Sequence, residues 1–216
     1  MSKRFGRAAI AATTVLVGAT SLTLPPQSAS AAVASVDLAD YVRVGRYDLP
    51  EPTRTAAPPD SLLAQEASSV TYNWDTDTLF VTGDGGTSVV QVDKSGNLID
   101  SMTLAPGGSP QGTEFYDTEG IAYVGGGQFA LIEERDRQVN LFTYVPGGVL
   151  NRADAQTVKL GTTIGNIGLE GVTYDPQTGG FVFVKELTPQ GMFQTGIDWG
   201  AGTATKIGRA SCRERV

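Results

Sequence analysis

Glu119-Gly120-Ile121-Ala122-Tyr123, within DTEGIAYV at 117–124, returns as Glu170-Gly171-Val172-Thr173-Tyr174, within GLEGVTYD at 168–175. The two copies lie 51 residues apart, and one further step of that length backwards lands on Ser68-Ser69-Val70-Thr71-Tyr72. A phrase restated in register at a period near 50 is the mark of stacked or circular repeats, not of one irregular core.

Strand signals surround each copy. In the first repeat, apolar and β-branched runs at 69–73, 79–83, 89–93 and 98–104 are separated by WDTDT, DGGTS and KSGN, all turn chemistry. The second repeat has GIAYV, FALIEE, VNLFTYV and QTVKLG, and the third has GVTYD, FVFVKEL and MFQTGID, with no fourth strand expected. No apolar period of 3.6 occurs outside the N-terminal segment, so helices are not expected. Four short antiparallel strands per repeat make the unit of a β-propeller blade. The expected fold class is therefore all-β, a β-propeller with about three blades at 63–112, 113–165 and 166–206. Propellers close with roughly four to eight blades, so the sequence reads as part of a larger ring.

Both ends are set apart from this pattern. MSKRFGR carries three positive charges, Ala8 to Leu24 is an uncharged apolar run, and SASAAVA at 28–34 offers Ala-x-Ala cleavage after Ala31 or Ala34. That is the layout of a secretory signal peptide, assigned to 1–31, and it predicts export to the medium or the cell envelope. A retained membrane anchor is the alternative, although the run is shorter than the roughly 20 apolar residues of a spanning helix. Membrane attachment is thus expected only through an uncleaved N-terminal segment. Residues 32–62 form a Pro-rich lead-in, in which YVRVGRYDLP at 41–50 offers a strand to close the ring. IGRASCRERV at 207–216 packs three arginines into ten residues and matches a translated sequencing-adapter oligonucleotide, so it is expected to be foreign to the fold.

Setting aside Lys3, Arg4 and Arg7 and the net two positive charges of the tail takes the formal charge from −7 to −12. Such a surface repels phosphate backbones, which excludes nucleic acid as a partner and suits a divalent cation. The single cysteine, Cys212, lies in the tail, and the chain has no histidine. A Ser-His-Asp triad and His-ligated zinc are excluded within these residues.

TDTLFVTGDGGTSVVQVDKSGNLIDSM, DTEGIAYVGGGQFALIEERDRQVNLFTY and NIGLEGVTYDPQTGGFVFVKE, with their paired EGI and EGV and the EER and VKE that follow, resemble the SdiA-regulated family from Leu63 to about Trp199. These are calcium-regulated, phytase-like β-propeller proteins. The resemblance implies a six-bladed ring, exported or held at the outer face of the bacterial membrane. It also implies calcium binding, a role in calcium homeostasis or signalling, and no firmly attached catalysis. The chain departs from the pattern at Ser68, which stands where the other repeats have Glu119 and Glu170, so a carboxylate ring is incomplete there unless Glu66 substitutes.

The first strand of a propeller blade lines the central channel, so Glu119 and Glu170 are expected to converge on the axis. A second acidic column appears when the repeats are aligned on Leu79, Phe129 and Phe181: Asp84, Glu134 and Glu186 coincide. Asp117, two residues ahead of Glu119, completes the candidate metal set. Hard cations such as Ca²⁺ take six to eight oxygen ligands, and packed like charges are costly without a cation to offset them. Plainer roles compete: Glu119 and Glu170 as acceptors of backbone N–H, Asp84 as a turn residue, and 133–137 as a solvated hairpin tip with mutual ion pairs. Tyr72, Tyr123 and Tyr174 are expected to pack as core between blades.

Two functions fit. One is a non-catalytic, exported propeller that binds Ca²⁺ and takes a protein or small-molecule ligand on its loop face. The other is a calcium-dependent, phytase-like phosphoesterase or esterase, for which Lys185 and Arg135 are the cations placed to meet phosphate. No catalytic or organic-cofactor residue is assigned.

Overall fold

The computed structural model describes residues 38–49, 63–163, 165–186 and 190–209. The expected signal peptide, most of the lead-in and residues 210–216 lie outside these. The chain divides into two units at Val42 and Arg43. In the first, the described residues are a 3-10 turn at Leu38–Asp40 followed by exposed Tyr41 and Val42. All thirteen strands among the described residues belong to the second.

Twelve of those strands form three antiparallel four-stranded blades of a β-propeller, and the remaining one extends the first sheet to five strands. Blade 1 is β1 (Ala67–Asn73), β2 (Thr78–Gly83), β3 (Ser88–Val92) and β4 (Leu98–Leu104). Blade 2 is β5 (Thr118–Gly125), β6 (Gln128–Glu133), β7 (Gln138–Thr143) and β9 (Gln156–Lys159). Blade 3 is β10 (Leu169–Asp175), β11 (Gly180–Lys185), β12 (Gly191–Asp198) and β13 (Thr203–Arg209). The inner strands sit side by side, with β5 packed between β1 and β10.

The differences from expectation are local. Blade 3 has a fourth strand, β13, and it crosses the 206 boundary to pair Arg209 with Phe193. The loop PGGVLNRADA holds a two-residue strand, β8 (Val149–Leu150), which joins β4 in parallel. Residues 41–49 carry no strand. Among the described residues, helix is confined to Leu38–Asp40 and a second 3-10 turn at Arg152–Asp154.

The run Phe129-Ala130-Leu131-Ile132 shows why unbroken hydrophobicity here means a strand. Side chains alternate across a sheet with a period of two. Phe129 and Leu131 enter one core with Phe80, Val89, Ile121 and Tyr123 at the junction of blades 1 and 2. Ala130 and Ile132 enter another with Val158, Leu169, Phe181 and Phe183 at the junction of blades 2 and 3. Blade 2 is thus apolar on both faces because it is covered on both. Phe129 lies at the centre of an aromatic group, with ring centroids 4.4 Å from Phe80 and 4.9 Å from Tyr123.

Polar groups complete the first junction. Ile121 N–H donates to Ser69 Oγ at 3.1 Å and Tyr123 N–H to Thr71 Oγ1 at 3.0 Å. These bonds satisfy the free edge of β5, whose buried donors would otherwise be costly. Of the three aligned tyrosines only Tyr123 is core, 1% exposed; Tyr174 is partly buried and Tyr72 is 43% exposed, its hydroxyl donating to Asp77. The expectation fails for Tyr72 because, among the described residues, a blade packs against only one face of blade 1.

Candidate metal centre

Strand pairing skips one residue at the start of every inner strand: between Ala67 and Ser69, between Thr118 and Gly120, and between Leu169 and Gly171. The skipped residues are Ser68, Glu119 and Glu170, the repeated column of the sequence. A bulge bends its strand and re-aims the extra side chain, so the repeat encodes a direction as well as a residue type. Gly120 follows the bulge because a Cβ there would lie 2.8 Å from side-chain atoms of Ile132. Two residues before the bulge, Glu66 and Asp117 both adopt the left-handed region, at φ 54° and 61°. Non-glycine residues there are strained by order 1–3 kcal/mol, and such strain clusters at functional positions. At the third equivalent position Gly168 approaches so closely that a Cβ would lie 2.0 Å from the Glu134 carbonyl oxygen.

The six candidate carboxylates fall into two trios. Asp84, Asp117 and Glu119 bring one oxygen each within 4.8 Å of one another, and Glu134, Glu170 and Glu186 do the same. The first trio joins the end of β2 in blade 1 to the start of β5 in blade 2. The second joins the end of β6 in blade 2 to residues of blade 3. Glu119 and Glu170, expected to converge, fall in different trios, although the charge of Glu119 still reaches Glu170. Each bulge glutamate instead meets the acid that follows the second strand of the preceding blade. Glu66 faces Asp84, whose negative charge is the main cause of its raised pKa. It thereby extends the acidic belt past the gap at Ser68.

The crowding is visible in the protonation of these groups. Burial, first, and the charges of Asp84, Asp117 and Glu134 push the Glu119 carboxyl up to about 7, against an opposing hydrogen bond from Ser68. Burial, then Glu134, Glu119 and Glu186, push Glu170 up to about 8. Glu134 is likewise raised, chiefly by burial, although Gly168 N–H donates to its Oε1 at 2.8 Å. Asp84 Oδ1 accepts from Gly85 N–H at 2.6 Å, so it serves its turn while facing the trio.

The hairpin tip differs from the solvated charge run expected. Glu133 and Glu134 are 0% and 1% exposed. Arg135 reaches out of its own hairpin: its Nε donates to Asp117, one Nη donates to Asn166 Oδ1 at 2.5 Å, and its guanidinium lies 5.2 Å from the Tyr116 ring centroid. Only Asp136 keeps a surface ion pair, with Lys159 at 3.2 Å. Glu133 is the residue that sequence reasoning missed. Its carboxylate accepts from Arg152 Nη1 at 2.6 Å and Nη2 at 2.7 Å, Gln138 at 2.5 Å, Asn140 at 2.8 Å and Tyr116 N–H at 2.7 Å. The signal lay in the period: Phe129, Leu131 and Glu133 share one face of β6, so a buried partner was required.

The donor set is all oxygen, and each trio brings one carboxylate oxygen from each of its three residues within 4.8 Å of the others. That suits Ca²⁺, which takes hard oxygen ligands, better than zinc, whose protein sites are built mainly on cysteine and histidine. The residues present thus fit a calcium ion at either trio. A bound dication would supply the positive charge that lets Glu119 and Glu170 ionise.

Several solved structures are similar to this chain over part of their length. A nidogen/laminin complex is 11% identical with a TM-score of 0.44, covering 67% of this chain and 49% of the matched one. Virginiamycin B lyase from Staphylococcus aureus is 14% identical with a TM-score of 0.39, covering 70% and 44%. Glutaminyl cyclase from Myxococcus xanthus is 14% identical with a TM-score of 0.40, covering 55% and 50%. The chain spans about half the length of these structures or less. The repeated bulge, its flanking glycines and the blades that carry them lie within residues 54–215, the span that matches the description SdiA-regulated, and the chain belongs to that family.

Proposed function

We propose that this chain is an exported, calcium-binding β-propeller with a non-catalytic role in calcium homeostasis or signalling at the bacterial cell envelope. The observation that carries the reading is the pair of carboxylate trios at successive blade junctions, Asp84–Asp117–Glu119 and Glu134–Glu170–Glu186. Their raised affinity for protons follows from burial and from the same crowding, which a dication would offset. Asp117 and Glu134 are held by Arg135 and by the Gly168 N–H, so each trio has an anchored member. The phosphoesterase reading loses ground because Arg135 is committed to Asp117 and Asn166. Isothermal titration of the full chain with Ca²⁺ tests the proposal. Saturable heat that disappears in Glu119→Gln plus Glu170→Gln supports it, and no heat up to millimolar Ca²⁺ removes it.

A further inference from the structure

The hairpin between β6 and β7 takes part in two ion pairs of different build. Glu133 is fully enclosed, and Arg152 grips it with both Nη atoms while also donating to Asn140 Oδ1 at 3.0 Å and to the Glu114 carbonyl at 2.5 Å. That pair is closed on itself. Asp117 is met more loosely: Arg135 gives it a single Nε–H, and the other hold on the guanidinium is one bond from Nη2 to Asn166 Oδ1 at 2.5 Å. The Arg135 side chain is 33% exposed, that of Asp117 3%. A guanidinium held by two single bonds and open to water can swing outward on its flexible stem, and the enclosed carboxylate cannot follow it.

Asp117 does not need Arg135 to keep its place. Its carbonyl accepts Glu134 N–H at 2.9 Å, and the next residue, Thr118, donates from Oγ1 to the Gly83 carbonyl at 2.8 Å. The repeats point the same way. Where the second repeat has Asp117 and Arg135, the third has Gly168 and Leu187, and the first has Glu66 and Gly85. The arginine thus accompanies the trio that contains Asp117 and has no counterpart at that position beside Glu134–Glu170–Glu186. Carboxylates packed together call for an opposing charge, and at the first trio the chain supplies one of its own.

We infer that Arg135 is a built-in competitor of calcium at the first trio, seated on Asp117 until a dication takes that carboxylate and then released toward solvent. The inference rests on the calcium reading above and adds its regulation: Arg135 holds the first trio to a higher calcium threshold than its carboxylates alone would set. A positive charge beside a bound dication opposes it, and salt screens that opposition poorly where the carboxylates are buried.

Isothermal titration of the full chain with Ca²⁺ in the Glu186→Gln background reads the first trio alone. There Arg135→Gln is expected to tighten binding about tenfold, and Arg135→Lys, which keeps a charge beside Asp117, to stay within about threefold of the parent. An arginine that merely positioned Asp117 would give the opposite sign, weaker binding on its removal. Asn166→Ala, at an exposed residue, loosens the guanidinium without altering a ligand and is expected to tighten binding about two- to threefold. It decides by the same signs should Arg135→Gln lose its strand circular dichroism. Saturable binding that Arg135→Gln leaves unchanged or weakens, with the strand signal intact, overturns this inference and leaves the calcium reading standing. No binding in the parent or in any variant removes both.

Discussion

Phe129→Ala tests whether blade stacking through β6 holds the molecule together. Phe129 is fully buried and its ring has four aromatic neighbours: Phe80 at 4.4 Å, Tyr123 at 4.9 Å, Phe142 at 5.9 Å and Tyr144 at 6.1 Å between centroids. Truncating a core phenylalanine costs about 3–5 kcal/mol, transfer and cavity combined. The upper end applies here, because the cavity would be walled by stiff aromatic rings that collapse poorly. With a urea slope of about 2 kcal/mol/M for a domain of this size, the midpoint moves down by roughly 1.5–2.5 M. Tyr72→Ala, at a half-exposed ring, is the control, with a cost near or below about 1 kcal/mol. Tryptophan fluorescence is the readout, since Trp74 packs edge-on against Tyr123 at 4.5 Å across the same junction. Equal midpoint shifts for the two variants, or a Phe129→Ala shift below about 0.5 M, would refute the stacking argument.

Metal-free stability should fall as pH rises. Glu119 and Glu170 have folded pKa values of about 7 and about 8, above the ordinary 4.5, so the folded state keeps protons that the unfolded state has released. Their contribution is full below about pH 4.5 and is lost through pH 7 to 8, and thermal melts in chelator from pH 5 to 8.5 should show a falling Tm. A flat or rising Tm in that window contradicts the crowding. Glu119→Gln plus Glu170→Gln should flatten the profile, and added Ca²⁺ at pH 8 should raise the Tm of the parent and not of this variant. Gly120→Ala forces a Cβ to within 2.8 Å of Ile132 and should cost about 1–3 kcal/mol, read by urea melts. Glu133→Ala leaves Arg152, Gln138 and Asn140 without their shared acceptor and should cost about 3 kcal/mol or more in the same assay.

The blade pattern was legible because two signals coincided: a period of two within each strand and a period near 50 between repeats. Strand β8 was hidden because Val149-Leu150 is too short to show alternation and is held by a parallel pairing across the molecule. Strand β13 was hidden because Thr203-Ala204-Thr205 is small and polar; it is fixed by pairing with β12, not by its own apolar content. The two acidic columns were legible because the repeats hold two registers, one through Ser68, Glu119 and Glu170 and one through Leu79, Phe129 and Phe181, offset by a single residue in the second repeat. Their division into trios was not, since it depends on the stagger that sets the second strand of one blade against the bulge of the next. Glu133 was overlooked because EERDR reads as a charged tip, and only the face it shares with Phe129 and Leu131 shows that it points inward.

Equilibrium dialysis with radioactive calcium is the most direct measure of what the trios do, applied to the parent chain, to Asp84→Asn in the first trio and to Glu186→Gln in the second. The expected uptake is one ion per trio in the parent, one fewer in each single variant, and none in the double variant. Uptake that is the same in all four chains, or absent from the parent, would contradict calcium binding at the blade junctions.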